Sequence, residues 1–210
     1  MEIDFGELDA YQRYKLMASL IVPRPIALVT TLGPTGVVNA APFSMFNMLG
    51  EDPPIVMLSI NRLQDGRLKD TAANILATGE FVVHLCDEAI ASQMHGCAQS
   101  LSPLLSELEH VGLHAVASAT VSPPRIAEAP VAFECVLHEK LETPSRYVFI
   151  GRVLWLSARD GLVDRQTWRV RLQDYHPVGR FGASFYVTTR DRFAIDGQDH
   201  ESRTTSIDEI

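Results

Sequence analysis

No CxxC pair, no glycine-rich GxGxxG turn, no block of lysine and arginine and no uninterrupted membrane-length apolar helix occurs in this 210-residue chain. Each absence removes a class of function. The missing GxGxxG, for which neither Gly33-Pro34-Thr35-Gly36 nor Gly179-Arg180-Phe181-Gly182 substitutes, excludes a separate dinucleotide-binding fold. Cys86, Cys97 and Cys135 are odd in number and widely spaced, which suits reduced thiols in the cytosol better than a disulfide framework. A net charge of −8 repels a nucleic-acid backbone and an anionic membrane, and no local basic run offsets it. The first 17 residues lack a basic segment followed by an apolar core, so no secretory signal is expected and a cytoplasmic location is. From Pro25 to Gly50 there is no charge at all, yet Gly33, Pro34, Gly36, Asn39, Pro42 and Asn47 break any helix through the stretch. Strands lining something buried explain it better than a membrane span.

Apolar residues at 46% and charged residues at 21% supply a core for one domain, expected over residues 1–190, followed by a polar tail at 191–210. Asp9 is placed to cap a helix whose Tyr14, Met17 and Ile21 recur at helical spacing before Pro23 and Pro25 end it. β-prone runs follow at 26–31, 37–40, 55–60, 81–85, 131–138, 147–155 and 185–188, with a turn at 32–36. A short helix fits 70–78, closed by Gly79, and an interrupted helical region spans roughly 87–108. The expected class is mainly β, a β-barrel with α-helical insertions.

Three segments carry candidate chemistry. Asn39 to Asn47 combines small residues, Pro42, and the hydrogen-bonding side chains of Ser44 and Asn47; it reads as a wall for a flat ligand or as an ordinary loop under a barrel. Ser59-Ile60-Asn61-Arg62 and Lys69-Asp70-Thr71 put two cations and hydroxyls near a helix start, where a phosphate can be held, although taken alone Lys69-Asp70-Thr71 reads more simply as a capped surface helix with solvated charges. His176 to Gly182, running into Ser184-Phe185-Tyr186, places glycines about Arg180 and ends on an aromatic hydroxyl; a strand-entry turn with a salt-bridged arginine accounts for it equally well. His84 in its strand reads as a hydrogen-bonded core residue, and His95 with Cys97 lacks two further ligands for zinc.

Arg24-Pro25-Ile26-Ala27, Asn39 to Asn47, Asp52-Pro53-Pro54, Lys69-Asp70-Thr71 with Asn74, Gly79-Glu80-Phe81-Val82-Val83 and Pro177-Val178-Gly179-Arg180 occur in the order found in the flavin-reductase-like family of FMN-binding split barrels. The chain resembles that family over roughly residues 14 to 188. The resemblance implies a six-stranded antiparallel split barrel with a Greek-key core, a homodimer, and FMN near the dimer interface. It implies that Ala41, Pro42, Phe43, Ser44, Met45 and Phe46 line the isoalloxazine and ribityl chain. Ser59, Asn61, Arg62, Lys69 and Thr71 then serve the ribityl end and phosphate, with Arg24 and Arg180 as further candidates.

Hydride transfer to a flavin needs two rings stacked at roughly 3 to 3.5 Å, a matter of orientation, so no catalytic triad or dyad and no metal is expected. NAD(P)H is the expected transient donor, folded over an open flavin face. The leading expectation is an NAD(P)H-dependent flavin reductase or small oxidoreductase. Two alternatives stay open: an FMN-bound carrier that meets a redox-protein partner, and a binding module without flavin.

Overall fold

Asp9 accepts from the backbone of Gln12 at 2.8 Å while the Gln12 side chain accepts from the Asp9 N–H at 2.9 Å, a reciprocal cap that starts helix α1, Ala10–Leu20. The structure, a computed structural model, describes residues 1–193, so most of the expected tail lies outside the described residues. Only Ala18 of α1 is buried. Tyr14, Met17 and Ile21 recur at helical spacing, as the sequence suggests, yet they face open clefts instead of the core.

After α1 come strands β1 (Arg24–Pro25), β2 (Ala27–Leu32), β3 (Val38–Phe43), β4 (Phe46–Glu51) and β5 (Pro54–Asn61). Helix α2 (Asp70–Thr78) and β6 (Glu80–Leu85) follow, then short helices α3 (Ala91–Gly96) and α4 (Glu107–Val111) and two-residue strands β7 (Ala115–Val116) and β8 (Arg125–Ile126). The chain continues through β9 (Val131–Glu142), β10 (Arg146–Ala158), the ribbon β11 (Val163–Asp164) and β12 (Arg169–Val170), and the hairpin β13 (Val178–Gly182) and β14 (Phe185–Thr188).

Seven strands form one antiparallel sheet in the order β3-β2-β6-β9-β10-β5-β4. Its two outer strands are consecutive in the chain, parted only by Ser44 and Met45. The sheet curls around one core: Val29, Phe43, Phe46, Leu58, Val83, Cys135 and Phe149, one from each strand, belong to a single buried cluster. Packing there is tight enough that a Cβ on Gly151 would lie 2.3 Å from the ring of the fully buried Phe81. The fold is the expected antiparallel split barrel with one strand more than expected. That strand is β4, which the charge-free wall Asn39 to Asn47 concealed because a two-residue corner splits it into the end of β3 and the start of β4.

Strand β2 is buried on both faces. Ala27 and Val29 enter the barrel, while Leu28 joins Ile26 in a second cluster under α3 and α4 that includes Ile90, Met94 and Leu108. Helix α2 ends at Gly79, whose φ of 72° is the left-handed value glycine accepts freely. Its first residue is Asp70, with Lys69 at the cap position and no side-chain cap. Buried polar groups lock α2 to the barrel: Asn39 donates to Thr71 Oγ1 at 2.9 Å, and Asn74 donates to Thr31 Oγ1 at 3.0 Å. Strand β1 pairs with β13, so the β13–β14 hairpin stands as a separate three-stranded sheet beside the barrel.

His84 is fully buried, with Nδ1 2.9 Å from the Leu28 carbonyl and Nε2 accepting the Ile126 N–H at 3.0 Å. A carbonyl can only accept, so the ring is neutral with its proton on Nδ1. Burial lowers its pKa from 6.5 to about 4, because a second ring proton would confront the Ile126 N–H with no acceptor left. The unfolded chain takes that proton below its ordinary pKa, so this contribution is whole above about pH 6.5 and is lost as pH falls toward 4. The expected loss is about 3 kcal/mol. Urea unfolding of the wild type and His84→Gln at pH 7 and pH 4 checks it: the wild type should lose that much more stability than the variant, and parallel losses would reject the assignment.

Candidate functional site

Helix α1 lies across the corner where the barrel closes, leaving a cleft on each side. The larger, about 580 Å³, is walled by Met45 at the corner, Met57, Ser59 and Asn61 of β5, Arg62, and Ser145, Arg146 and Val148 at the start of β10. Tyr14, Met17 and Ile21 roof it. The smaller, about 520 Å³, opens toward α3 and the β13–β14 hairpin. Pro42, Phe43 and Ser44 form its floor, and His95, Arg180 and Tyr186 its far wall. Tyr14, Ala18 and Arg24 belong to both.

Pairing of β5 with β10 builds the polar end of the larger cleft, since Asn61 stands opposite Arg146 and Ser59 opposite Val148. Arg62 pairs with Glu142 at 2.5 Å, donates to the Gly66 carbonyl at 3.2 Å and lies 4.9 Å over the Tyr147 ring. The Arg146 guanidinium sits 5.7 Å over the Tyr14 ring. Lys69 lies close by, 5.9 Å over the Phe43 ring, and its pKa is lowered by burial and then by the charge of Arg146. Arg24, Arg62 and Arg146 enter the cleft wall, which contains no Asp or Glu. Such a wall favours an anion at one end and an apolar plane along Met45, Met57 and Val148.

Of the residues read from the sequence, Met45, Ser59, Asn61 and Arg62 meet in the larger cleft, and Pro42, Phe43 and Ser44 in the smaller. Phe46 is in the barrel core, with Ala41 packed against it. Thr71 is buried, its hydroxyl taken by Asn39, and Lys69 stands behind Phe43 and Arg146 instead of in either wall. Sequence reading missed Arg146, Ser145, Met57 and Tyr14. Only the β5–β10 register, a pairing across 85 residues for Asn61 and Arg146, brings Arg146 and Ser145 into place, whereas Met57 shares the period-two face of β5 with Ser59 and Asn61.

The profile of the Flavin reductase like domain matches residues 17–175. The chain belongs to the flavin-reductase-like family. It is 40% identical over 195 residues to the uncharacterised protein YwrF of Bacillus subtilis, covering 90% of this chain and 95% of that one. The 2-nitrobenzoate 2-nitroreductase NbaA of Pseudomonas fluorescens superposes with a TM-score of 0.85 at 36% identity, over 95% of this chain and 98% of its own. Nitrilotriacetate monooxygenase component B of Bacillus cereus does so at 0.87 and 32%, over 93% and 98%. Family and neighbours set the class of chemistry, flavin-linked oxidoreduction. The larger cleft fits a flavin: apolar walls for a ring, hydroxyl and amide groups at Ser59 and Asn61, and arginines at the far end.

Other reactive groups are occupied elsewhere. His95 Nδ1 is 2.8 Å from the Tyr186 hydroxyl, in an edge-on ring contact. Among the described residues no cluster of three or more His, Cys, Asp or Glu could hold a metal, and no helix is long and apolar enough to cross a membrane. All three thiols are unpaired and buried; burial pushes Cys97 and Cys135 up to about 12 and Cys86 higher still. The native protein should therefore leave Ellman's reagent essentially unreacted at pH 8, and all three thiols should react once denaturant is added. Rapid labelling of any cysteine in the native protein would show that its cover opens.

Proposed function

We propose that this chain is an FMN-dependent oxidoreductase that accepts hydride from NAD(P)H, with the flavin in the larger cleft and its phosphate among Arg62, Arg146 and the charge of Lys69. The observation that carries the reading is a wall lined by three arginines, of which Arg62 is paired with Glu142 while Arg24 and Arg146 show no ion pair among the described residues, beside the apolar side chains of Met45, Met57 and Val148. Ser59 and Asn61 supply polar contacts along the ribityl stretch, and Met45 with the Ser44 corner borders the ring. Bound there, the flavin supplies a two-electron relay between a nicotinamide and an acceptor. The smaller cleft, which shares Tyr14, Ala18 and Arg24 with the first, leaves room beside the ring for each reactant in turn. No side chain has to move a proton in this reading; orientation between α1 and the barrel corner is what the protein provides.

The unit that does this is residues 1–190, working as a homodimer in the cytoplasm. Exposed Met48 and Leu49 on the outer strand β4, with Leu154, Trp155 and Leu156 on β10, offer the apolar surface a second copy would cover. Three unpaired thiols suit a reducing compartment.

Two measurements test the assignment. Arg146→Gln should weaken FMN binding by about 1.5 to 3 kcal/mol, the scale of a hydrogen bond to a charged group, and leave riboflavin binding unchanged. Equal losses for both flavins would move the phosphate elsewhere. Anaerobic mixing of the FMN-loaded protein with NADH or NADPH should bleach the flavin absorbance rapidly and saturably. Bleaching by dithionite alone would make the protein an electron carrier served by a redox partner.

A further inference from the structure

Arg24 and Arg180 are direct partners across the antiparallel β1–β13 pair, and both enter the wall of the smaller cleft. Like charges placed opposite one another across a ladder repel. Arg24 is 8% exposed, and its hydrogen bonds go to neutral groups: the carbonyls of Ala18 and Ile21 and, at 3.3 Å, the Ser44 hydroxyl. Arg180 donates to the Ala183 carbonyl and lies 4.8 Å over the Tyr186 ring. Among the described residues neither guanidinium has a carboxylate partner. Lys15 and His95 add to the same wall, and no Asp or Glu lines it. Burial lowers the pKa of Arg24; Tyr14 opposes the shift, and the charge of Arg180 adds to it by less. The helix-end carbonyls solvate Arg24 without neutralising it, so its charge still repels that of Arg180 across the ladder, and an anion between the two relieves that repulsion.

The rest of the wall restricts that anion. Phe43, Tyr14 and Tyr186 present flat faces, and Pro42, Ile26 and Met94 close the floor with apolar surface. Two guanidinium forks match the plane of a carboxylate, and aromatic walls match a ring attached to it. We propose that the smaller cleft binds a planar aromatic carboxylate, its charge between Arg24 and Arg180 and its ring against Tyr186 and Phe43. This names the class of ligand that reaches the flavin in the proposed reaction, an acceptor where its ring also carries a reducible substituent, and it rests on reading the larger cleft as the flavin's.

Benzoate and its neutral analogue benzamide are the probes, titrated into the full-length protein with and without FMN and followed by calorimetry and by the flavin spectrum. Benzoate should bind one site per chain in both forms, at least about tenfold more tightly than benzamide, and should perturb the flavin absorbance of the loaded form. Arg180→Gln should bring the benzoate-to-benzamide ratio close to one while FMN uptake stays unchanged and thermal unfolding moves no lower, since the repulsion with Arg24 is relieved. If that variant does not fold, Lys15→Gln on the exposed side of α1 should remove a smaller part of the same preference, and the wild-type ratio decides alone. Equal affinity for the two probes overturns the proposal. So does displacement of benzoate by an equal concentration of inorganic phosphate, which would make the cleft a phosphate site, and so does mutual exclusion of benzoate and FMN, which would make it the flavin's own. A protein that takes up no flavin yet still prefers benzoate would end the flavin reading and leave this one standing.

Discussion

The Arg24 guanidinium donates to the last carbonyls of α1 and to the hydroxyl of Ser44, so one buried cation ties the helix to the corner where the barrel closes. Carbonyls at a helix C-terminus lack intrahelical donors and carry partial negative charge, which makes a cation a natural partner there. Apolar burial cannot do this job, because α1 buries Ala18 alone. The helix is held near its end by this anchor and at Tyr14 by the Arg146 guanidinium over its ring, with open space beside it on both sides. The two clefts are the space it leaves, and Arg24 lies in the wall of both.

The barrel beneath is made rigid at the same corner by different means. Phe43 and Phe46, on either side of Ser44 and Met45, both enter the core, and the Ser59 N–H donates to the Met45 carbonyl at 2.8 Å. The corner therefore cannot slip relative to β5. Behind it, the Asn39, Thr71, Thr31 and Asn74 network fixes the start of α2, and with it Lys69, against β2 and β3. Thr71 thus holds the start of α2 in place, with its own hydroxyl turned inward.

Local signals made most of the fold legible. The Asp9 cap, the 70–78 helix with Gly79 behind it, and the β-prone runs at 55–60 and 81–85 fall within a residue or two of the elements observed, because capping, chain reversal and alternation are encoded within a few residues. Strand β4 was not legible, since the charge-free wall reads as one segment and only closure of the barrel requires a corner in it. The site was legible in part for the same reason. Ser59, Asn61 and Arg62 sit together on one strand and its exit, whereas Arg146 joins them through a register that no local pattern records. Tyr14 and Met17 had the spacing of a core-facing helix; the direction they face depends on the Arg24 anchor, formed with residues as far away as Ser44.

The charge balance of the clefts runs against that of the chain. A net charge of −8 repels anions at long range, yet both cleft walls carry arginines and no carboxylate. At physiological ionic strength the Debye length is about 8 Å, so the distant acidic surface is largely screened from a ligand already at the cleft mouth. The guanidiniums within, partly removed from solvent, are screened much less. In the proposed reading, selection for an anion operates at contact, through the plane and spacing of Arg24, Arg180, Arg62 and Arg146, and not through the field of the whole molecule. That division suits the proposed flavin chemistry, in which small charged reactants enter one after another while the acidic outer surface repels nucleic acid.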